Sequence, residues 1–317
     1  MNFEAIDSVS VWRISTSRSV AGISCESCGA MASQSGTMLL RCYVPSNKGQ
    51  RSERYFSVRR MRDLCRDALL DYFEHVYRDM VAKKLKAQKG CLEWDPTATY
   101  LDCGCRAGRK TAKLAELVGT QTVLGSDLNM RVLREAKKRG LSAVRTDLNW
   151  SLPLPSNSVD VVTALDVLEH LLETRTFISE LYRVLVPGGY AVIATPNLAS
   201  WHNIFALLLG LQPFSGPNIT SMRDADLDIV RRMHRKDHGL SEEGEYVDTG
   251  EHELHRHIMV VACKSLVKLL RQTGFIVELV RGFGYEPLPP MLSDVFCRLD
   301  VRHAHHLVIK ARKPSNW

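Results

Sequence analysis

A strand that runs into a glycine-containing turn and straight on into a helix constrains a chain more than its composition does, and Thr97 to Leu114 (TATYLDCGCRAGRKTAKL) has that form. Tyr100, Leu101 and Asp102 have strand character, Cys103 to Gly108 contains two glycines, and Arg109 to Leu117 has the spacing of a helix. Glycine lets a ligand reach backbone N–H groups that a Cβ would screen, and the helix N-terminus beyond it favours negative charge. A small anionic or zwitterionic ligand is expected there. It is not a dinucleotide, because Arg106 and Arg109 stand where the second and third glycines of G-x-G-x-x-G belong.

Gln121 to Asp127 (QTVLGSD) follows as a strand that ends on an acid about 20 positions beyond the turn. A carboxylate there can accept both hydroxyls of a ribose. It can also cap the next helix, Asn129 to Arg139, and one residue can do both. Ala143 to Asp147 has the character of a third strand. After it comes DLNWSLPLPSNSVDVVTALDVLEHL, Asp147 to Leu171.

These features together resemble the class I S-adenosylmethionine-dependent methyltransferases. Asp102, Gly104, Arg106 and Gly108 take the places of that family's acidic-x-Gly-x-Gly-x-Gly turn, with Arg106 at a glycine position. Asp-Leu-Asn, a proline-containing loop, Val-Asp-Val-Val and Leu-Glu-His then occur in the family's order. The resemblance implies an α/β fold with a mostly parallel seven-stranded sheet, helices on both faces, and S-adenosyl-L-methionine as cofactor. It also implies that Asp127 holds the ribose, Leu128 lies against the adenine and Asp147 accepts the adenine amino group. The backbone at Leu148 would contact the ring, and Leu165 would border the methionyl part.

Asp166, Glu169 and His170 are spaced i, i+3 and i+4, which places them on one face if the segment is helical. Three readings stay open. Asp166 and Glu169 can form a capping box; His170 can act as a base on the acceptor; or the three can ligate a divalent ion. The last arrangement resembles the acid-x-x-Glu-His of small-RNA 2′-O-methyltransferases and certain quinone O-methyltransferases. Arg175 to Leu185 is an amphipathic helix, followed by Pro187-Gly188-Gly189 and an apolar strand, Tyr190 to Thr195. The next 60 residues, 198–257, lack regular pattern, which marks a lid or substrate-binding insertion. Trp201, His202 and Asn203 open it, and His202 is a second catalytic candidate. His234, His238, His252, His255 and His257 crowd its second half, where one of them can complete a metal site with Glu169 and His170. Val260 to Thr273 has helical spacing, and Phe275 to Val280 and His305 to Lys310 have strand character, matching the last helix and antiparallel strand pair of the family's sheet.

The domain organisation expected is a poorly ordered segment 1–36, a basic helical extension 37–92, a methyltransferase domain 93–197 with 258–317, and the insertion 198–257. Between Arg41 and Lys89 thirteen Lys/Arg face six Asp/Glu, which accounts for the whole net charge of +7. Apolar residues from Val58 to Val81 recur at helical spacing within it. Its charge is either a solvated face or a footprint for nucleic acid. The longest apolar run, Ile204 to Leu209, is far short of the ~20 residues of a membrane span. Nine scattered cysteines suit a reducing compartment, and the pair Cys25 and Cys28 lacks a second pair for zinc. A cytoplasmic enzyme acting on a small-molecule acceptor is the leading expectation, with an organellar targeting role for the N-terminal segment left open. A nucleic-acid methyltransferase and a catalytically silent interaction protein are the alternatives.

Overall fold

The computed structural model describes residues 30–32, 38–45, 51–216 and 257–315. The chain divides into two units, Met1–Tyr72 and Phe73–Trp317. In the first, β1 (Ala30–Ala32), β2 (Met38–Pro45) and β3 (Arg51–Ser57) form an antiparallel sheet in that order, Leu40 pairing with Ala30 on one side and Phe56 on the other. Helix α1 (Val58–Lys89) follows. The strands differ from the expectation of a helical extension 37–92 and a poorly ordered segment 1–36, whereas the helix expected from Val58 is present. The physical reason is β-propensity: Leu39, Tyr43 and Val44, then Tyr55 and Phe56, flank the turn formers Ser46, Asn47 and Gly49, and such pairing leaves no helical period to read.

The second unit is built on a seven-stranded sheet. Its strands are β4 (Thr99–Cys103), β5 (Thr122–Asp127), β6 (Ser142–Arg145), β7 (Val159–Leu165), β8 (Leu185–Pro196), β9 (Ile276–Phe283) and β10 (His306–Arg312). Their order is β6-β5-β4-β7-β8-β10-β9, with β10 antiparallel to both neighbours and the other pairings parallel. The helices are α2 (Arg109–Val118), α3 (Met130–Lys138), α4 (Thr174–Val184), α5 (Trp201–Leu208), α6 (Cys263–Thr273) and α7 (Pro290–Leu299).

Strands buried on both faces must be apolar at consecutive positions, and these are. Leu101, Val162, Ala191, Ile193, Leu307 and Ile309 face α4 and α6 through Phe177, Leu181, Leu266 and Leu270. Their neighbours Tyr100, Val161, Val192 and Val308 form the opposite layer with Leu114 and Val118 of α2 and Ala87 of α1. Helices on both faces were expected, and they are present.

Strand order reverses at β4, whose neighbours β5 and β7 lead outward in opposite directions. Crossovers therefore diverge above the C-terminal ends of β4 and β7, opening a crevice where ligands of such sheets bind. Because β10 runs antiparallel, its start lies at this same end: His306 pairs with Pro196, the last residue of β8. The insertion is helical at its root, where the sequence reading saw no order: Trp201 to Leu208 (WHNIFALL) forms α5, too apolar all round to show a helical stripe. His234, His238, His252 and His255, like Cys25 and Cys28, lie outside the described residues.

Candidate active site

The turn after β4 is held by backbone bonds. Gly104 and Cys105 both donate to the Ser126 carbonyl, at 2.8 and 3.0 Å, and Gly108 donates to the Cys105 carbonyl at 2.9 Å. Gly104 has φ of 75°, and a Cβ there would come within 2.7 Å of Val167 Cγ2, so the position requires glycine. Gly108 is the N-cap of α2 at φ 79° and provides no side-chain cap, which leaves the helix start open to an anion. Arg106 accommodates the left-handed conformation that a glycine would take there, at φ 50°. Its side chain is exposed, and its backbone N–H donates to Asp127 Oδ2 at 3.0 Å.

Asp127 thus sits at the end of β5 with one oxygen on the turn and the other accepting the Asn129 N–H at 2.9 Å. Burial pushes its carboxyl above the usual range, against the pull of these two N–H groups. The cap of α3 is Asn129, whose side chain accepts from Arg131 N, so the helix-capping reading of Asp127 is corrected. Leu128, next along, is 39% exposed, an apolar surface beside the acid. Asp147 Oδ1 accepts both the backbone and side-chain N–H of Asn149 at 2.9 Å, an Asx turn that fixes its carboxylate in the loop just beyond β6. Leu148 is buried in the core, and Leu165 is half-buried at the end of β7.

Asp102 is placed differently from a ligand-facing acid. It is 6% exposed, and its two oxygens accept the hydroxyls of Thr111 at 2.5 Å and Thr163 at 2.6 Å. Those bonds tie α2 and β7 to β4, so Asp102 shapes the turn from below.

Beyond β7, Asp166 adopts φ 59° and the chain makes a single 3₁₀ turn, Leu168–His170. The N-cap is Val167 and no side chain caps it, so the capping box expected of Asp166 and Glu169 is not formed. Competing partners explain why. Asp166 is drawn to the buried Lys84 of α1, whose ammonium lies 3.1 Å from both of its oxygens and outweighs the effect of burial to hold the carboxyl below the usual range. Glu169 turns inward, 2% exposed, and accepts the Thr195 hydroxyl at 3.0 Å. Burial, with Asp166 beside it, raises its carboxyl well above the usual range. The Glu169 carbonyl accepts the N–H groups of Ile258 and Met259, at 2.6 and 3.2 Å, which brings His257 to the same place. The ligand atoms of Glu169, His170 and His257 all lie within 4.8 Å of one another.

Four residues at this end of the sheet escaped sequence reading: Lys84, Glu286, His305 and His306. The RHAHH run before β10 was a usable signal, since an antiparallel last strand must begin where the parallel ones end. His202, on α5, faces Glu286 and His305 instead of the turn after β7.

Residues 101–193, from β4 into β8, match the model of a methyltransferase domain. Over these residues the chain is similar to S-adenosylmethionine-dependent methyltransferases. Over 101 residues the chain is 36% identical to a probable S-adenosylmethionine-dependent methyltransferase of Mycolicibacterium smegmatis, covering 31% of this chain and 37% of that protein. It is 30% identical over 162 residues to a demethylmenaquinone methyltransferase of Anoxybacillus flavithermus, covering 47% and 65%. It is 28% identical over 159 residues to a malonyl-[acyl-carrier protein] O-methyltransferase of Marinomonas sp., covering 49% and 59%. The chain thus spans less than two thirds of the length of these relatives. Among the described residues, no helix is long and apolar enough to cross a membrane.

Proposed function

We propose that this chain transfers a methyl group from S-adenosylmethionine to a small-molecule acceptor. The observation that carries the reading is Asp127, a half-buried carboxylate at the end of β5, bonded to the Arg106 N–H and flanked by the exposed Leu128. A ribose and an adenine require an acceptor pair beside an apolar face, and this is one. The groups around it fit the donor. The uncapped start of α2 suits its carboxylate, Asp147 stands one strand further out for the adenine amino group, and Leu165 borders the crevice.

When bound, the sulfonium supplies an already electrophilic methyl group. What remains for the protein is to align the acceptor, exclude water and take up a proton where the acceptor carries one. Glu169 and His170 are placed for the last task, since burial keeps the Glu169 carboxyl in the range where it can hold a proton. The proximity of the Glu169, His170 and His257 ligand atoms, within 4.8 Å of one another, supports a second reading in which this N₂O set holds a divalent ion that polarises an acceptor oxygen. The small-molecule class is supported by the relatives, two of which carry the names of quinone and acyl-carrier substrates. An RNA acceptor rests on the basic segment alone; RNA binding that weakens steeply with salt would favour it. Calorimetric titration of the full chain with S-adenosylhomocysteine tests the proposal. One-to-one binding is expected, and no heat and no thermal shift at millimolar ligand would leave the interaction-protein reading instead.

A further inference from the structure

Outside the methyl-transfer residues, a second cluster of ligating groups closes around one buried carboxylate. His202 comes from the first turn of α5, Glu286 from the loop after β9, and His305 from the residue before β10. Their ligand atoms lie within 4.8 Å of one another. His305 Nδ1 is 3.1 Å from Glu286 Oε1, His202 Nδ1 is 3.9 Å from Glu286 Oε2, and the two imidazole centroids are 4.0 Å apart.

Three observations separate this cluster from an ordinary polar surface. Glu286 is 7% exposed, and among the described residues its Oε2 has no hydrogen-bond partner. A buried carboxylate oxygen left without a donor is costly, by about 1–3 kcal/mol and more for a charged group. The backbone is shaped to place it: Gly284 has φ 79°, and a Cβ there would fall 2.8 Å from Glu286 Oε1 and 2.9 Å from His305 Cβ. His202 is oriented from behind, with Nε2 3.3 Å from Ser215 Oγ and its ring stacked 5.8 Å from Phe214. A metal-binding imidazole is usually held in this way, its second nitrogen donating to a fixed oxygen.

We propose that His202, Glu286 and His305 bind a divalent transition-metal ion of the zinc type. The two imidazoles are borderline ligands that favour zinc over magnesium or calcium, the carboxylate is an oxygen ligand zinc also accepts, and three protein ligands leave a fourth position for water. The site shares no residue with Glu169, His170 and His257. It joins α5, the loop after β9 and the start of β10, so the ion pins the root of the insertion to the sheet.

The test uses the full chain freed of metal by a chelator and titrated with Zn²⁺ alone, and with Co²⁺ as a spectroscopic probe. Expected are a raised melting temperature with Zn²⁺, a Co²⁺ d–d band of low coordination number, and a zinc peak between the three side chains in an anomalous difference map. Glu286→Gln and His202→Asn each weaken Zn²⁺ binding at this site at least tenfold, whereas His170→Asn leaves it within threefold. The map from wild-type crystals decides the matter if either variant fails to fold. Absence of that peak, wild-type affinity in folded Glu286→Gln, or loss of the site in His170→Asn overturns the proposal.

Discussion

Removing the Asp127 carboxylate separates its two tasks by size. In the free protein it accepts two backbone N–H groups, from Arg106 at 3.0 Å and Asn129 at 2.9 Å. A hydrogen bond to a charged group contributes about 1.5–3 kcal/mol, but water can replace the carboxylate at the exposed Arg106 end. Asp127→Ala should therefore cost about 1–3 kcal/mol of stability, which lowers the melting temperature by roughly 2–12 °C for a domain of this size. Donor binding should suffer more. Two ribose hydroxyls lose a charged acceptor, about 3 kcal/mol or more together, which is a hundredfold or greater rise in the Kd for S-adenosylhomocysteine. Asp102→Asn is the matched control. Its oxygens accept the Thr111 and Thr163 hydroxyls, and an amide can still pair with both, so donor affinity should stay within about fivefold of wild type. Calorimetric titration of both folded variants reads the difference. Asp127→Ala binding within threefold of wild type, or Asp102→Asn binding more weakly than Asp127→Ala, would refute the reasoning.

Arg106→Gly should leave donor affinity within threefold, because the side chain is exposed; stability should change by less than about 1 kcal/mol, relief of the φ 50° conformation offsetting the freedom glycine adds to the unfolded chain. A tenfold gain in affinity would show instead that the guanidinium obstructs the turn. Gly104→Ala should lose about 2–4 kcal/mol, from the left-handed φ and the 2.7 Å approach to Val167, read as a fall in the denaturation midpoint; an unchanged midpoint would contradict the packing described. Glu169, with its carboxyl raised, contributes stability that is present below the ordinary Glu value of 4.5 and lost as pH rises through neutrality. Melting temperature should then fall between about pH 5 and 8 less steeply in Glu169→Gln than in wild type, and parallel curves would exclude the effect.

The positions of the residues proposed to hold the donor were legible because they follow short strands, where local sequence fixes both the element and the direction. Asp127 and Asp147 were placed from the ends of β5 and β6, and the crevice followed from the strand–turn–helix at Thr97 to Leu114. Asp102 was legible as a position but not as a contact, since Thr111 and Thr163 reach it only after α2 and β7 have packed. The acceptor half depends on contacts far apart in the chain. Lys84 is 82 residues from Asp166, and that ion pair is what removes Asp166 from the capping role its spacing suggested. His257 reaches Glu169 through backbone bonds at the end of the insertion, and no periodicity announces them. The small sheet before α1 was missed for a related reason: pairing between β2 and β3 is a property of two segments, not of either one.

A crystal structure of the full chain with S-adenosylhomocysteine bears most directly on the central claim, that the turn after β4 and the acids at the end of β5 and just beyond β6 hold an adenosyl donor. The account predicts the ribose hydroxyls on Asp127, the adenine between Leu128 and Asp147, and the amino-acid end at the start of α2. The Arg106 guanidinium occupying that space, or the ligand seated elsewhere, would contradict it.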